Sequence, residues 1–241
     1  MADDMRKTSE NLCTFDFFVY LCRQIVTSTI MNKNEKFVIT INRELGSGGR
    51  TVGRKVAERL GVPFFDKALI MALEEKFHLT VENIEKLKGQ KQGWWADFKR
   101  QMSLGESSVQ YYQVKMGQEP EVLSTYELFK SEEQILNSLA EQESCVVAGR
   151  TAFYVLRKQP NHLNILIQAS MPFRLNRVMR KQGIDEDKAR KIIEKVDKMR
   201  ENYVKEYTKT SRYDTRNYDL VISADGKTED EIADIIMQYI G

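Results

Sequence analysis

Residues 42–53 read NRELGSGGRTVG, with glycines at 46, 48, 49 and 53, hydroxyls at Ser47 and Thr51, and arginines at 43 and 50. Glycine lets backbone N–H groups close around an anion because no side chain blocks the approach. Phe37-Val38-Ile39-Thr40-Ile41 precedes the stretch and reads as a strand; Arg54 to Leu60 follows it and reads as a helix. A helix N-terminus adds unpaired N–H groups and a partial positive charge. Strand, glycine loop and helix together are a phosphate-binding arrangement, and they make Gly46, Ser47, Gly48, Gly49, Arg50 and Thr51 the candidate phosphate ligands. The lysine that such loops usually carry is missing. Glycine-rich strand-to-helix turns also occur as plain packing turns, and the glycine spacing does not suit the dinucleotide fingerprint.

Several further residues fall where a ligand would meet such a loop. Asp66 closes the apolar run VPFFD, and either orients a bound group or caps the helix that follows. Arg150 follows Gly149 at the end of SCVVAGR; a surface salt bridge is the alternative to a ligand contact. Arg174, Arg177 and Arg180 recur every three residues and share one helical face. With Arg200 they form either a lid of cations or a solvated charged surface.

The elements that must position these residues alternate. Strands are expected at 37–41, 62–66, 144–150, 163–169 and 218–224. Helices are expected from the loop to about Leu60, over 67–89, 125–142, 172–209 (one helix or two) and 228–240. Residues 89–124, which hold Trp94 and Trp95, have weak periodicity and read as a helical insertion or cap. Near-continuous apolar strands alternating with helices imply a parallel sheet covered on both faces. The expected fold is therefore α/β, doubly wound, with about five parallel strands flanked by helices. In such sheets ligands bind beyond the carboxyl ends of the strands, where the glycine loop, Asp66 and Gly149-Arg150 all fall.

Composition narrows the functional classes. The chain has 241 residues, 41% hydrophobic and 30% charged, with a net charge of +2 from 37 basic and 35 acidic residues. That balance argues against nucleic acid or an anionic membrane as partner, so a phosphate site must rely on locally clustered cations. Cys13, Cys22 and Cys145 are widely spaced, odd in number and lack metal-ligand spacing, as expected of reduced thiols in the cytoplasm. Two histidines make a zinc site or a Ser-His-Asp triad improbable. The apolar stretch within CTFDFFVYLCRQIVTSTI is broken by Asp16 and Arg23 and is too short to span a bilayer. Residues 1–36 read as an N-terminal extension to a domain over 37–241.

Three segments carry a resemblance: NRELGSGGRTVGRKVAERLGVPFFD, SCVVAGRTAFYVL and LNILIQASMPFRLNRVMRKQG. They resemble cytidylate kinases, members of the P-loop nucleoside monophosphate kinases, and most closely the divergent cytidylate kinase-like branch with REFGSGGR-type loops. The likeness covers most of residues 37–241 and is vague over 89–124. It implies a P-loop three-layer sandwich with a helical acceptor-binding insertion and a helical lid. It also implies an ATP- and Mg²⁺-dependent phosphotransferase whose partners are small-molecule nucleotides, with a pyrimidine nucleoside monophosphate such as CMP or dCMP as acceptor. On this resemblance residues 46–51 hold the ATP phosphates, and Arg50, Asp66 and Arg150 are catalytic. Asp66 and Arg150 then face the acceptor, and Arg174, Arg177, Arg180 and Arg200 belong to the lid. Three positions depart from the pattern. The usual lysine falls on Gly49 in the gap-free register, leaving Arg50 the nearest substitute. Ala148 stands where relatives carry an acid, and Thr151 where an aspartate helps read cytosine. A kinase of another small acceptor, or a nucleotide-binding protein without turnover, remains open on the sequence.

Overall fold

The computed structural model describes residues 31–66, 125–149 and 151–241. Residues 1–30, the expected helix over 67–89, the insertion and Arg150 lie outside the described residues. Five strands form one sheet: β1 (Val38–Arg43), β2 (Phe64–Asp66), β3 (Cys145–Ala148), β4 (His162–Gln168) and β5 (Leu220–Ser223). Every pairing is parallel and the order is β2-β3-β1-β4-β5. The chain leaves β1 with neighbours reached in opposite directions, so the strand order switches beside β1 and opens a crevice at its carboxyl end.

Among the described residues six helices flank the sheet: α1 (Gly49–Leu60), α2 (Thr125–Gln142), the short α3 (Ala152–Val155), α4 (Met171–Gln182), α5 (Glu186–Thr208) and α6 (Glu229–Ile240). Strand alternation sends Ile39 and Ile41 into one core with Val52, Val56 and Ala57 of α1 and Ile232, Ile236 and Ile240 of α6. Val38 and Val147 face the other way, against Leu136 and Leu139 of α2 and Leu156. The sheet is thus covered on both faces, as its near-continuous apolar strands require. A third, smaller cluster joins Leu175 and Val178 of α4 to Ala189 and Ile193 of α5.

Helix boundaries follow local chemistry. α1 ends at Gly61, whose φ of 65° is the left-handed cap that glycine adopts freely. The charged segment 172–209 is two helices, divided at Gly183. Asp185 starts the second by accepting from Lys188 N at 2.8 Å. α6 opens with a capping box between Thr228 and Glu231. The segment just before β1 is fastened to the body. Met31 is buried in the same cluster as Phe37, and Asn32 N donates to Asn161 Oδ1 at 3.0 Å. Among the described residues, no helix is long and apolar enough to cross a membrane.

Candidate phosphate-transfer site

The loop between β1 and α1 is a ring of unspent donors. Gly46 and Gly48 have φ of 91° and 85°, a region that favours glycine. Ser47 N and Ser47 Oγ both turn back to the Glu44 carbonyl, at 3.3 and 3.0 Å. The Gly48 carbonyl receives Thr51 N and Val52 N, at 2.9 and 3.1 Å, and so starts α1. The N–H groups of Gly46, Gly48, Gly49 and Arg50 have no hydrogen-bond acceptor among the described residues. Successive free N–H groups in a turn that opens a helix form an anion-binding concavity. Of residues 46–51, four thus keep free N–H groups, while Ser47 N and Thr51 N are used within the loop and the helix start.

Two anchors fix the loop's shape. Leu45 N donates to Asp197 Oδ1 on α5 at 3.0 Å. The Glu44 carboxylate accepts from Ala169 N at 2.9 Å, where β4 ends. At position 46 there is no room for a side chain: a Cβ would lie 2.9 Å from both the Cβ and the carbonyl oxygen of Arg174. Glycine is required there by space as well as by φ.

The expected site residues fall into distinct places. Arg50, on the first turn of α1, donates through Nε to Asp66 Oδ2 at 2.5 Å. Asp66 closes β2, and its side chain is only 7% exposed. Sequence reasoning had these two in separate roles; the fold joins them as a charged pair at the mouth of the loop. Arg50 Nη2 is buried without a hydrogen bond. Ala148 is the register partner of Asp66 and is wholly buried, so the neighbouring strand offers no second carboxylate at that level. Thr151 is buried, and its hydroxyl makes no hydrogen bond.

The lid candidates separate into two kinds. Arg174 is buried and bonds Asp197 Oδ2 through Nη1 at 2.6 Å. Arg177 meets Glu229 at the start of α6 at 2.5 Å. Both brace α4 against its surroundings. Arg180 lies exposed at the end of α4. Arg200 reaches the Arg43 carbonyl through Nη1 at 3.3 Å and lies 3.5 Å from Asp197. Lys181 is pushed below the ordinary lysine range first by desolvation, then by Arg177, with Arg180 and Arg50 adding to the effect against Glu229. The end of α4 therefore contributes to one positive field with the loop.

Three residues at the centre escaped sequence reasoning or were left ambiguous. Arg212 is buried in a loop 170 positions from its contact on β1. Its Nη2 donates to Asn42 Oδ1 at 3.2 Å and to the Arg43 carbonyl. Tyr218 donates to the Arg212 carbonyl at 2.7 Å, and burial pushes its phenol up to about 12. Arg43 itself has its guanidinium lowered to about 9, first by burial and then by Arg200 and Arg212, with Asp66 pulling the other way. In sequence Arg43 stands at a strand end and Tyr218 at a strand start, whereas Arg212 lies eight residues before β5 with no local signal.

The chain is similar to several solved structures. Among solved structures, an uncharacterized protein from Eubacterium ventriosum is 25% identical, over 85% of this chain and 98% of that one, with a TM-score of 0.61. A shikimate kinase from Bacteroides thetaiotaomicron is 15% identical over 85% of this chain and 97% of that one, with a TM-score of 0.44. A gluconokinase from Sinorhizobium meliloti is 15% identical over 85% and 91%, with a TM-score of 0.43. No curated protein matches the chain. The model of the cytidylate kinase-like family matches residues 38–225, from the first strand past the last one, and the chain belongs to that family.

Proposed function

We propose that the protein is a nucleoside monophosphate kinase that transfers the γ-phosphoryl group of ATP to a pyrimidine nucleoside monophosphate of the CMP or dCMP kind. The observation that carries this reading is the cradle of free N–H groups at Gly46, Gly48, Gly49 and Arg50, set at the switch point of a parallel sheet. Family membership supports the phosphotransferase class. The resemblance supplies the acceptor.

The chemistry asks little of the protein beyond position and charge. An oxygen of the acceptor's phosphate forms a bond to the γ-phosphorus as the bond from that phosphorus to the β–γ bridging oxygen breaks, and ADP leaves. The loop N–H groups hold the donor phosphates in line. Arg50, steadied by Asp66, places positive charge where negative charge develops. Arg150 is assigned to the acceptor's phosphate. Thr151, with its unpaired hydroxyl beside that position, takes the base-facing role; a hydroxyl discriminates less firmly than a carboxylate, so base preference is expected to be relaxed. Arg180 and Arg200 add charge from the lid side.

A magnesium ion fits this donor set in a limited way. Mg²⁺ at phosphates is held by one or two carboxylates plus substrate oxygens. Asp66, with the Thr51 hydroxyl, would hold it here, directly or through water. No group of three or more acidic, cysteine or histidine side chains among the described residues forms a cage on its own. When bound, the ion would neutralise charge on the phosphate oxygens.

A coupled assay for ADP, run with ATP, Mg²⁺ and a panel of nucleoside monophosphates, tests the reading. Turnover with CMP or dCMP above the purine nucleotides is expected. A second reading has a specific observation in its favour: glycine at 49 and buried alanine at 148 are compatible with nucleotide binding without transfer. Tight ATP binding with no turnover on any acceptor would select that reading.

A further inference from the structure

We propose that Arg43 is a phosphate-binding cation of this site, entering from the end of β1 the space that a side chain at residue 49 would otherwise fill. The inference rests on the reading of the loop as a donor-phosphate site. It concerns a residue that opens the RELGSGGR stretch but lies outside the 46–51 cradle.

Two glycines on different elements make a channel for this one side chain. A Cβ at Gly49, the first residue of α1, would lie 2.6 Å from the Cβ of Arg43 and 3.1 Å from its Cγ. A side chain at 49 and the present path of Arg43 are therefore mutually exclusive. Further out, a Cβ at Gly149 would lie 1.6 Å from Arg43 Nη1 and 2.7 Å from Cζ. The stem thus runs along the head of α1, and the guanidinium lies over the end of β3. That position is between the N–H cradle and the strand end that leads to the acceptor side. Gly49 is also the slot in which the gap-free register puts the missing lysine. The loop carries no cation at 49; the stem of Arg43, six residues earlier, occupies that space and carries its charge on toward Gly149.

The charge balance points the same way. Among the described residues the Arg43 guanidinium makes no ion pair and no hydrogen bond. Its neighbours are mostly cations: Arg200 and Arg212 both hold its carbonyl, and Arg50 lies nearby. The Arg212 side chain is 1% exposed, yet its Nε and Nη1 have no hydrogen bond. Asp197 lies 3.5 Å from Arg212 Nη1 but is shared with Arg174, Arg200 and Leu45 N. Arg212 is buried while Arg43, Arg50 and Arg200 keep partial access to water, and a buried cation without a full counter-charge is costly. A polyphosphate in the adjacent cradle supplies one, and the planar guanidinium fork suits its oxygens. Burial and the neighbouring guanidiniums depress the Arg43 guanidinium, as they would in a site formed to receive an anion.

The test measures binding and stability on the full chain, so it needs no turnover. ATP and inorganic tripolyphosphate are titrated calorimetrically, and melting temperature is measured without ligand. The variants are Arg43→Met, which keeps most of the stem and removes the charge, Arg43→Ala, and a swap that combines Arg43→Ala with Gly49→Lys. Arg43→Met is expected to weaken tripolyphosphate about 10- to 100-fold, the scale of losing charge-assisted hydrogen bonds. Its ligand-free melting temperature should equal or exceed that of the wild type. The swap should bind better than Arg43→Ala alone. Unchanged affinity in Arg43→Met overturns the proposal. So does a melting temperature that falls in step with affinity, which would make Arg43 a packing residue. A wild-type chain that binds tripolyphosphate but phosphorylates no acceptor would sink the kinase reading and leave the Arg43 result standing. A wild type that binds neither ATP nor tripolyphosphate would remove both.

Discussion

Asp197 is the residue on which the loop and the two lid-side helices converge, and Asp197→Asn is the substitution that measures it. The carboxylate is nearly buried. It accepts from Leu45 N at 3.0 Å and from Arg174 Nη1 at 2.6 Å, and it lies 3.5 Å from both Arg200 and Arg212. Asparagine preserves the shape and one acceptor for Leu45 N, so the change isolates the charge. Removing one partner of a buried ion pair costs about 3–5 kcal/mol because the other charge is left uncompensated. Arg174 keeps a second acid, Glu44, at 3.8 Å, which favours the lower end, about 3 kcal/mol. For a chain of this size that corresponds to a fall in Tm of about 6–12 °C. Denaturant titration and thermal melts of the wild type, Asp197→Asn, Arg174→Met and the double variant give the check. The double variant should lose less than the sum of the singles by at least about 1 kcal/mol, the signature of coupled neighbours. Asp197→Asn within about 1 kcal/mol of the wild type, or strict additivity, would refute the view that this carboxylate holds the loop to α4 and α5.

Other substitutions probe separate links. Arg50→Ala should lower turnover about 10²–10³-fold, as expected for losing one transition-state donor; unchanged turnover removes Arg50 from the mechanism. Arg150→Ala should raise the apparent KM of the acceptor while leaving ATP affinity nearly intact; equal weakening of both would place Arg150 elsewhere. Thr228→Ala breaks the α6 capping box and should cost about 1 kcal/mol with nucleotide affinity unchanged, which parallel melts and titrations would show. Burial raises the Cys145 thiol from 9.0 to about 12, so its thiolate fraction at pH 8 falls about 10³-fold. Peptide-mapped alkylation should leave Cys145 unmodified until the protein unfolds. A chain that starts at Met31 should fold and bind nucleotide, because Met31 and Asn32 carry the contacts that precede β1; aggregation of that shortened chain would assign residues 1–30 to the core.

What the sequence made legible, and what it hid, divides along a physical line. Ile39, Ile41, Val146, Val147, Ile165 and Ile167 sit in near-continuous apolar runs, so a parallel sheet buried on both faces could be read directly. The 125–142 helix was readable from Ile135, Leu136 and Leu139 on one face, all buried in the fold. The glycine loop was visible because it depends on consecutive residues. The partners of its charged side chains depend on strand order and were not visible. Arg50 meets Asp66 across 16 positions because β2 is placed at the sheet edge, and Arg212 reaches Asn42 across 170. The spacing of Arg174 and Arg177 marked one helical face but could not say that Asp197 and Glu229 would engage them.

Arg43 is the clearest instance. In sequence it is a strand-end arginine outside the 46–51 cradle, and Gly49 is a missing lysine. The two observations become one only when β1, α1 and β3 are in place. Pairing β1 with β3 in the register Ile41 to Ala148 sets Gly149 at the level where the Arg43 head arrives. Starting α1 at Gly49 clears the stem. Neither glycine alone would admit the side chain: alanine at 49 would strike its base, and alanine at 149 its tip. The path of Arg43 thus depends on both glycines, so Arg43 must be judged together with Gly49 and Gly149 and not as a lone surface arginine.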